Sequence, residues 1–244
     1  MKAKNKVHIG TSGWHYKHWK GPFYPEEMDE SEFLDFYANR FRTVEINNSF
    51  YNLPEAKTLR QWRDTVPEKF IFSVKASRYI THMKKLKDPK KSLSTLLKRL
   101  KSLGDKMGPI LFQLPPKWNV NAERLKSFLD TLPEENRYAF EFRDKSWFQQ
   151  EIYETLAEYK AAFCIYELAG TVSPLEVTTD FVYIRLHGPG DAYEGSYRKK
   201  TLRDWAGNIS KWMQDGKTVY CYFDNDQAGY APKNSLRLQE IVNK

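Results

Sequence analysis

Two carboxylates stand inside segments that otherwise read as buried strands. Glu45 lies in "TVEIN" (43–47) and Glu141 in "YAFEFR" (138–143). A carboxylate in such a setting is costly unless a cation or several donors meet it. Suitable cations recur in similar segments. Arg143 follows Glu141 by two residues, Arg185 precedes His187 by two in "FVYIRLH" (181–187), and Lys75 comes late in "FIFSVKA" (70–76). Asn47, Gln113 in "PILFQL" (109–114) and Asp224 in "TVYCYFD" (218–224) add amides and an acid. In a strand, residues two apart share a side, which pairs Glu45 with Asn47, Glu141 with Arg143, and Arg185 with His187. The chemistry these types suit is proton transfer on a bound anion. Glu45, Glu141, His187 and Asp224 would move protons, and Arg143, Arg185 and Lys75 would hold phosphate. A desolvated Lys75 would also be a nucleophile capable of a Schiff base.

Such a set works only if separate strands deliver it to one place. Eight short apolar runs are readable, the six named above together with "VHIGT" (7–11) and "AAFCIYE" (161–167). Amphipathic stretches separate them: "ESEFLDFYANRF", "EAKTLRQWRDTV", "KSLSTLLKRLKSLG", "NAERLKSFLDTL", "QQEIYETLAEYK" and "TLRDWAGNISKWMQD", with "NSLRLQEIVNK" last. The sixth crossover, residues 168–180, is too short for a full helix. Alternation of this kind predicts parallel strands joined by helices, and eight units predict an α/β fold of one (β/α)8 TIM-like barrel. No linker, repeat or low-complexity segment divides the 244 residues, so a single domain, 1–244, is expected. In such a barrel the strand ends that lead into helices carry the chemistry. Most of the polar residues above fall late in their runs, which would gather them at one mouth.

The loops supply further candidates. "GTSGW" after the first strand offers amides and hydroxyls at a tight turn, a possible anion cradle. Trp14, Tyr51 and Trp147 are expected to stack on the organic part of a ligand, and His82 in "YITH" to contact it. "RLHGPGDAYEGSYRKK" has the glycines of a mobile lid, with Tyr193 and Tyr197 placed to close it. There is no GxGxxG, GxxxxGK or GxSxG pattern, so no organic cofactor is indicated. Glu45, Glu141, His187 and Asp224 are metal-ligand types, with His82 nearby. With 5 histidines in the chain, and Arg and Lys competing for the carboxylates, a multi-zinc centre is disfavoured and a single Mg²⁺ or Mn²⁺ remains compatible.

The formal charge of +8 is concentrated. Residues 82–106, "HMKKLKDPKKSLSTLLKRLKSLGDK", hold nine Lys or Arg against Asp88 and Asp105, and "RKKTLR" (198–203) is a second cluster. Clustered positive charge attracts phosphate-bearing partners, DNA and RNA among them. No apolar run is long enough to span a membrane, and "MKAKNKVHIG" lacks the apolar stretch of a signal peptide. Cys164 and Cys221 read as buried free thiols. A cytoplasmic protein is expected.

The motifs "IGTSGWHYKHWKGPFYP" (9–25), "VEINNSFYNLP" (44–54), "FIFSVKASRYITH" (70–82), "ILFQLPP" (110–116), "AFEFRDKSW" (139–147), "YIRLHG" (183–188) and "YFDNDQAGYAPKNSLRL" (222–238) occur in this order. With them the chain resembles the YecE-like family, domain of unknown function number seventy-two, along its whole length. The resemblance implies a TIM-like barrel similar to those of endonuclease IV and sugar isomerases; it implies no activity. Three functions are expected to compete. One is an enzyme, possibly a phosphoester hydrolase, on a phosphate-containing substrate such as a nucleotide or nucleic acid. The others are a sugar or sugar-phosphate isomerase or lyase, and a non-catalytic nucleic-acid-binding protein.

Overall fold

The computed structural model describes residues 7–243. The N-terminal residues 1–6, read above as lacking a signal peptide, lie outside the described residues, as does Lys244 of the last predicted helix. The predicted strands all form. They are β1 (Val7–Thr11), β2 (Thr43–Ile46), β3 (Ile71–Lys75), β4 (Met107–Gln113), β5 (Tyr138–Glu141), β6 (Ala162–Leu168), β8 (Phe181–Leu186) and β9 (Thr218–Phe223). A two-residue strand, β7 (Thr171–Val172), pairs antiparallel with β6. It occupies the sixth crossover, where no helix was expected. The helices are α1 (Phe33–Ala38), α2 (Ala56–Thr65), α3 (Lys90–Leu100), α4 (Ala122–Leu129), α5 (Gln150–Glu158), α6 (Lys199–Gln214) and α7 (Tyr230–Val242).

The differences at helix ends have local causes. α1 is shorter than its sequence pattern because a 3₁₀ turn, Glu30–Glu32, precedes it. There the Asp29 side chain accepts from the Ser31 amide at 2.8 Å while the Glu32 carboxylate accepts from the Asp29 amide, a capping box. α7 starts four residues before the predicted 234, since Pro232 is tolerated in a first turn whose amides lack helical partners. α3 gives way after Leu100 to a 3₁₀ segment interrupted at Gly104, whose φ of 55° ends the regular helix.

The sheet order is β1-β9-β8-β6-β5-β4-β3-β2, with parallel pairing between β1 and β9, β9 and β8, and along β3, β4, β5 and β6. The two ends of this order meet at a parallel bridge between Ser12 and Glu45. This is the strand order of an α/β TIM-like (β/α)8 barrel. The chain forms two compact units. One comprises Met1–Glu45 (described from Val7), Ile165–Leu175 and Asp180–Lys244; the other comprises Ile46–Cys164 and Glu176–Thr179.

Aromatic packing dominates each unit. In the first, Tyr24 stacks on Phe33 with centroids 4.0 Å apart, and the buried Tyr37 hydroxyl accepts from the Thr11 amide at 2.9 Å and donates to the Thr43 carbonyl at 3.1 Å. Hence a ring from α1 links the ends of β1 and β2. In the second, Phe112, Phe140 and Phe142 from β4, β5 and the residues beyond them stack along the interior, and Trp147 lies on Phe142 at 4.8 Å. Burial of rings this size supplies a large part of the apolar driving force. No helix among the described residues is long and apolar enough to cross a membrane.

β1 runs so close to β2 that Gly10 has no room for a side chain. A Cβ there would stand 2.3 Å from the Thr43 carbonyl oxygen and 3.0 Å from the Tyr37 hydroxyl. Backbone cannot yield as a flexible side chain does. Gly10→Ala is therefore expected to destabilise the protein by about 1–3 kcal/mol, seen as a lower urea midpoint at an unchanged slope.

Candidate functional site

In the first unit the strand-end charges form one closed network. Arg185, from β8, has no exposed surface, and neither does Glu45 from β2. The arginine Nε donates to both Glu45 oxygens at 3.1 Å, and Nη2 donates to Glu45 Oε1 at 2.8 Å, Asp224 Oδ2 at 2.9 Å and Ser12 Oγ at 3.2 Å. Nη1 lies 3.3 Å from His187 Nε2. Glu45 also accepts from Ser12 Oγ at 2.5 Å and Tyr183 Oη at 2.7 Å. Burial and the adjacent Glu45 carboxylate push the Tyr183 hydroxyl well above its ordinary pKa, so it stays a donor. His187 Nδ1 stands 3.0 Å from Asp224 Oδ2, an ion-pair distance that is poorly aligned for a hydrogen bond.

This geometry gives Glu45 and Arg185 different work from that expected. The Glu45 oxygens accept from Arg185, Ser12 and Tyr183, so their lone pairs are taken up by the protein, and the Arg185 guanidinium is held by protein carboxylates rather than presented to a phosphate. His187 and Asp224 are brought together as expected, within the same network.

Several loop candidates are also absorbed by the fold. In the "GTSGW" turn, the Ser12 amide donates to the Phe223 carbonyl and the Gly13 amide to the Glu45 carbonyl, both at 2.8 Å. The Thr11 hydroxyl is held between Gly13 O and Tyr37 Oη. The amides and hydroxyls expected to cradle an anion thus serve the junction of β1 with its neighbours. Trp14 is buried, and its carbonyl accepts from Tyr24 Oη at 2.5 Å; it packs the interior instead of standing at a rim. Tyr197 is also buried, its hydroxyl accepting from the Gly188 amide at 3.0 Å and its amide donating to Asn234. It pins the loop after β8 rather than closing as a lid, whereas Tyr193 is exposed beside His187.

Glu167, the last residue of "AAFCIYE", lies late in β6 as the other candidates do in their strands. Its carboxyl accepts from Trp205 Nε1 of α6 at 2.8 Å, and burial raises its pKa above the ordinary carboxyl value. The signal for finding it was the same late position in an apolar run.

The second unit holds a less saturated cluster. Glu141 ends β5 directly beside Gln113 of β4 in the parallel register. Its carboxylate is buried, pairs with Arg143 and has Cys164 Sγ 3.9 Å from Oε2. Lys75 ends β3, with Nζ 4.2 Å from the centre of the Phe50 ring, and His82 sits against the same ring at 5.0 Å, edge to face. His82 lies in a π-helical turn, Tyr79–Met83, an uncommon geometry that recurs at functional sites. Burial, then the positive charges of Lys75, Arg78 and Arg143, lower its pKa to about 4, so at pH 7 the ring is neutral. Two buried amide oxygens, Gln113 Oε1 and Asn47 Oδ1, have no hydrogen-bond partner. An exposed Tyr51 stands at the edge of this cluster, its ring 5.0 Å from Phe50. Trp147, by contrast, is fully enclosed and donates from Nε1 to the Trp118 carbonyl at 2.6 Å, so it supports the wall and is not available to stack on a ligand.

Among the described residues, no group of three or more His, Cys, Asp and Glu side chains is arranged to hold a metal ion. Cys164 and Cys221 are both buried and not joined in a disulfide.

The strand order places the molecule among TIM-like α/β barrels. The family model "Protein of unknown function DUF72" matches residues 8–244, and the chain belongs to that family. It is 27% identical to the protein YunF of Bacillus subtilis, over 97% of this chain and 94% of that one. Its fold is similar to the crystal structure of a DUF72 family protein, TM1631, from Thermotoga maritima, with a TM-score of 0.89 at 28% identity, covering 98% of this chain and 100% of that one. A DUF72 family protein from Enterococcus faecalis shares the fold at 20% identity and a TM-score of 0.80, covering 98% of this chain and 96% of the other.

Two outcomes follow from the clusters. Glu45→Gln strands Arg185 without its main counter-charge and is expected to cost about 3–5 kcal/mol; the double change Glu45→Gln with Arg185→Met recovers much of that loss in urea unfolding. His82 acts through pH. Because its folded pKa of about 4 lies below the ordinary 6.5, the unfolded chain takes up the proton first as pH falls. Its contribution to stability is present above about pH 6.5 and is lost down to about pH 4. His82→Gln should flatten the stability profile in that window, and the His82 ring resonance should titrate near 4 by NMR.

Proposed function

We propose that this protein binds a phosphate-containing organic ligand, a nucleotide or related phosphoester, through the cluster of Lys75, Gln113, Glu141, Arg143, His82 and Asn47. The observation that carries this reading is the buried, unpartnered oxygen of Gln113 beside Glu141. Leaving such an atom dry and unpaired costs about 1–3 kcal/mol, a strain the fold retains where a ligand group completes the bond. An amide oxygen needs a donor, so the ligand offers a hydroxyl or amine to Gln113 and Asn47. Lys75 and Arg143 supply the positive charge for its phosphate, and the exposed Tyr51 ring offers a stacking face for its base or sugar.

Hydrolysis is the reaction these groups support. In that step water adds to phosphorus and gives its proton to the neutral ring of His82, the P–O bond to the organic part breaks, and its oxygen takes a proton from solvent. The cations next to His82 would stabilise charge developing on the phosphoryl oxygens. Glu141, held by Arg143, would orient that charge rather than act alone. The two acceptor oxygens also favour a hydroxyl-rich ligand, which keeps a sugar phosphate as the second reading, with Lys75 as its nucleophile.

The test separates binding from stability. Gln113→Leu removes the unpaired oxygen at similar volume, and is expected to leave the melting temperature unchanged or raised while weakening nucleotide or sugar-phosphate binding tenfold or more by calorimetry. Lys75→Met should weaken the phosphorylated ligand and spare its dephosphorylated analogue. If no nucleotide or sugar phosphate binds the wild-type protein at millimolar concentration, or if Gln113→Leu only lowers stability, the reading fails.

A further inference from the structure

The densest charge on the chain is absent from the cluster above, yet it is not scattered. Five of the eight positive residues of 84–101, Lys87, Lys90, Lys91, Lys98 and Lys101, line two adjoining grooves between α3 and α4 in the second unit. The first, of about 590 Å³, is bordered by Lys87, Lys90, Lys91 and Arg124, against a single acid, Asp88. The second, of about 390 Å³, is bordered by Lys90, Lys98 and Lys101, against Glu135. Lys90 and Thr131 belong to both, so the grooves form one track along the helix seam. α3 has no acidic residue in its first turn, which leaves the positive end of its dipole on the same track.

The track starts at the loop that follows β3. In that loop Lys84 Nζ lies 5.9 Å from the Tyr79 ring, and Lys85 Nζ lies 5.8 Å from the Trp118 ring on the loop after β4. Tyr79 and Met83 are exposed there. Cations set over flat rings, leading into a concave basic groove, match a flexible polyanion that carries flat rings of its own. A bilayer surface would not follow a groove between two helices.

We propose that the α3–α4 seam is a docking track for single-stranded nucleic acid, whose phosphates lie along Lys87, Lys90, Lys91, Arg124, Lys98 and Lys101 while its bases stack at Tyr79 and Trp118. This rests on the phosphate reading of the Lys75–Gln113 cluster for the ligand's class and names the ligand as a polynucleotide. α3 has 11 residues, so the seam is about 16 Å long.

The experiment is anisotropy of a fluorescein-labelled twelve-nucleotide single strand across 50–200 mM salt, with the wild type and the triple variant Lys90→Ala, Lys91→Ala, Arg124→Ala. None of the three side chains lies in the core, and circular dichroism checks that the variant is folded. Expected is wild-type binding that the variant loses tenfold or more, with the slope of log affinity on log salt reduced by about 2, since each neutralised phosphate contributes about 0.7. A mononucleotide, titrated by calorimetry, reports on the Lys75–Gln113 cluster separately and should bind the triple variant as it binds the wild type. Unchanged affinity and slope for the oligonucleotide in the triple variant overturn the track, whatever the mononucleotide does. Track-dependent oligonucleotide binding without mononucleotide binding overturns only the reading of the cluster. Track-dependent sedimentation with phosphatidylserine vesicles, without oligonucleotide binding, overturns nucleic acid as the partner.

Discussion

An arginine with no exposed surface is tolerable only where its donors meet acceptors, and Arg185 meets that condition through Glu45, Asp224, Ser12 and His187. Those partners come from β2, from the turn after β1 and from the ends of β8 and β9. One side chain therefore ties together the strand ends around the point where the sheet order closes, at the Ser12–Glu45 bridge. Desolvating two charges is expensive, and the many hydrogen bonds around this pair are what offset the cost. The dependence runs the other way too. Gly10 must remain without a side chain, and Tyr37 must bridge Thr11 and Thr43, for Ser12 and Glu45 to stand within reach of the arginine.

The second unit is organised by a different balance. Glu141 has Arg143, and Lys75 has the face of Phe50, but the amide oxygens of Gln113 and Asn47 are buried without donors. A fully satisfied network rigidifies, whereas an unpaired buried polar group is costly in a low-dielectric interior. The first unit is not wholly satisfied either, since the Asn225 Oδ1 beside Asp224 is also buried without a hydrogen bond. Burial and three nearby cations also keep the His82 ring neutral at pH 7.

The family places the chain among barrel proteins whose description carries no activity, so the burden of a functional reading falls on side-chain geometry. Much of the aromatic content is structural. Trp14, Trp147 and Tyr197 each spend their polar atoms or their ring faces inside the protein, while Tyr51, Tyr79 and Tyr193 keep theirs at the surface. Letters alone do not separate these two groups, since a tryptophan in a loop is equally suited to fill a wall or to face a ligand.

Eight strands, their order of alternation with helices, the short sixth crossover and the lateness of polar residues in each run were all legible from local pattern, because strand and helix periodicity are properties of neighbours in sequence. So was the pairing of Glu141 with Arg143, two residues apart, although the strand ends at Glu141 and Arg143 lies just beyond it. What the sequence could not decide was which charge meets which across strands. Glu45 and Arg185 are separated by 140 residues, and only the register of the closed order makes Arg185, and not Lys75 or Arg143, the partner of Glu45. The same holds for the hydrogen-bond count at each atom. Whether Glu45 is a base or a saturated anchor, and whether Gln113 is satisfied or waiting, depends on donors brought in by distant segments, and a residue's type says nothing of how many of its lone pairs the fold has already filled.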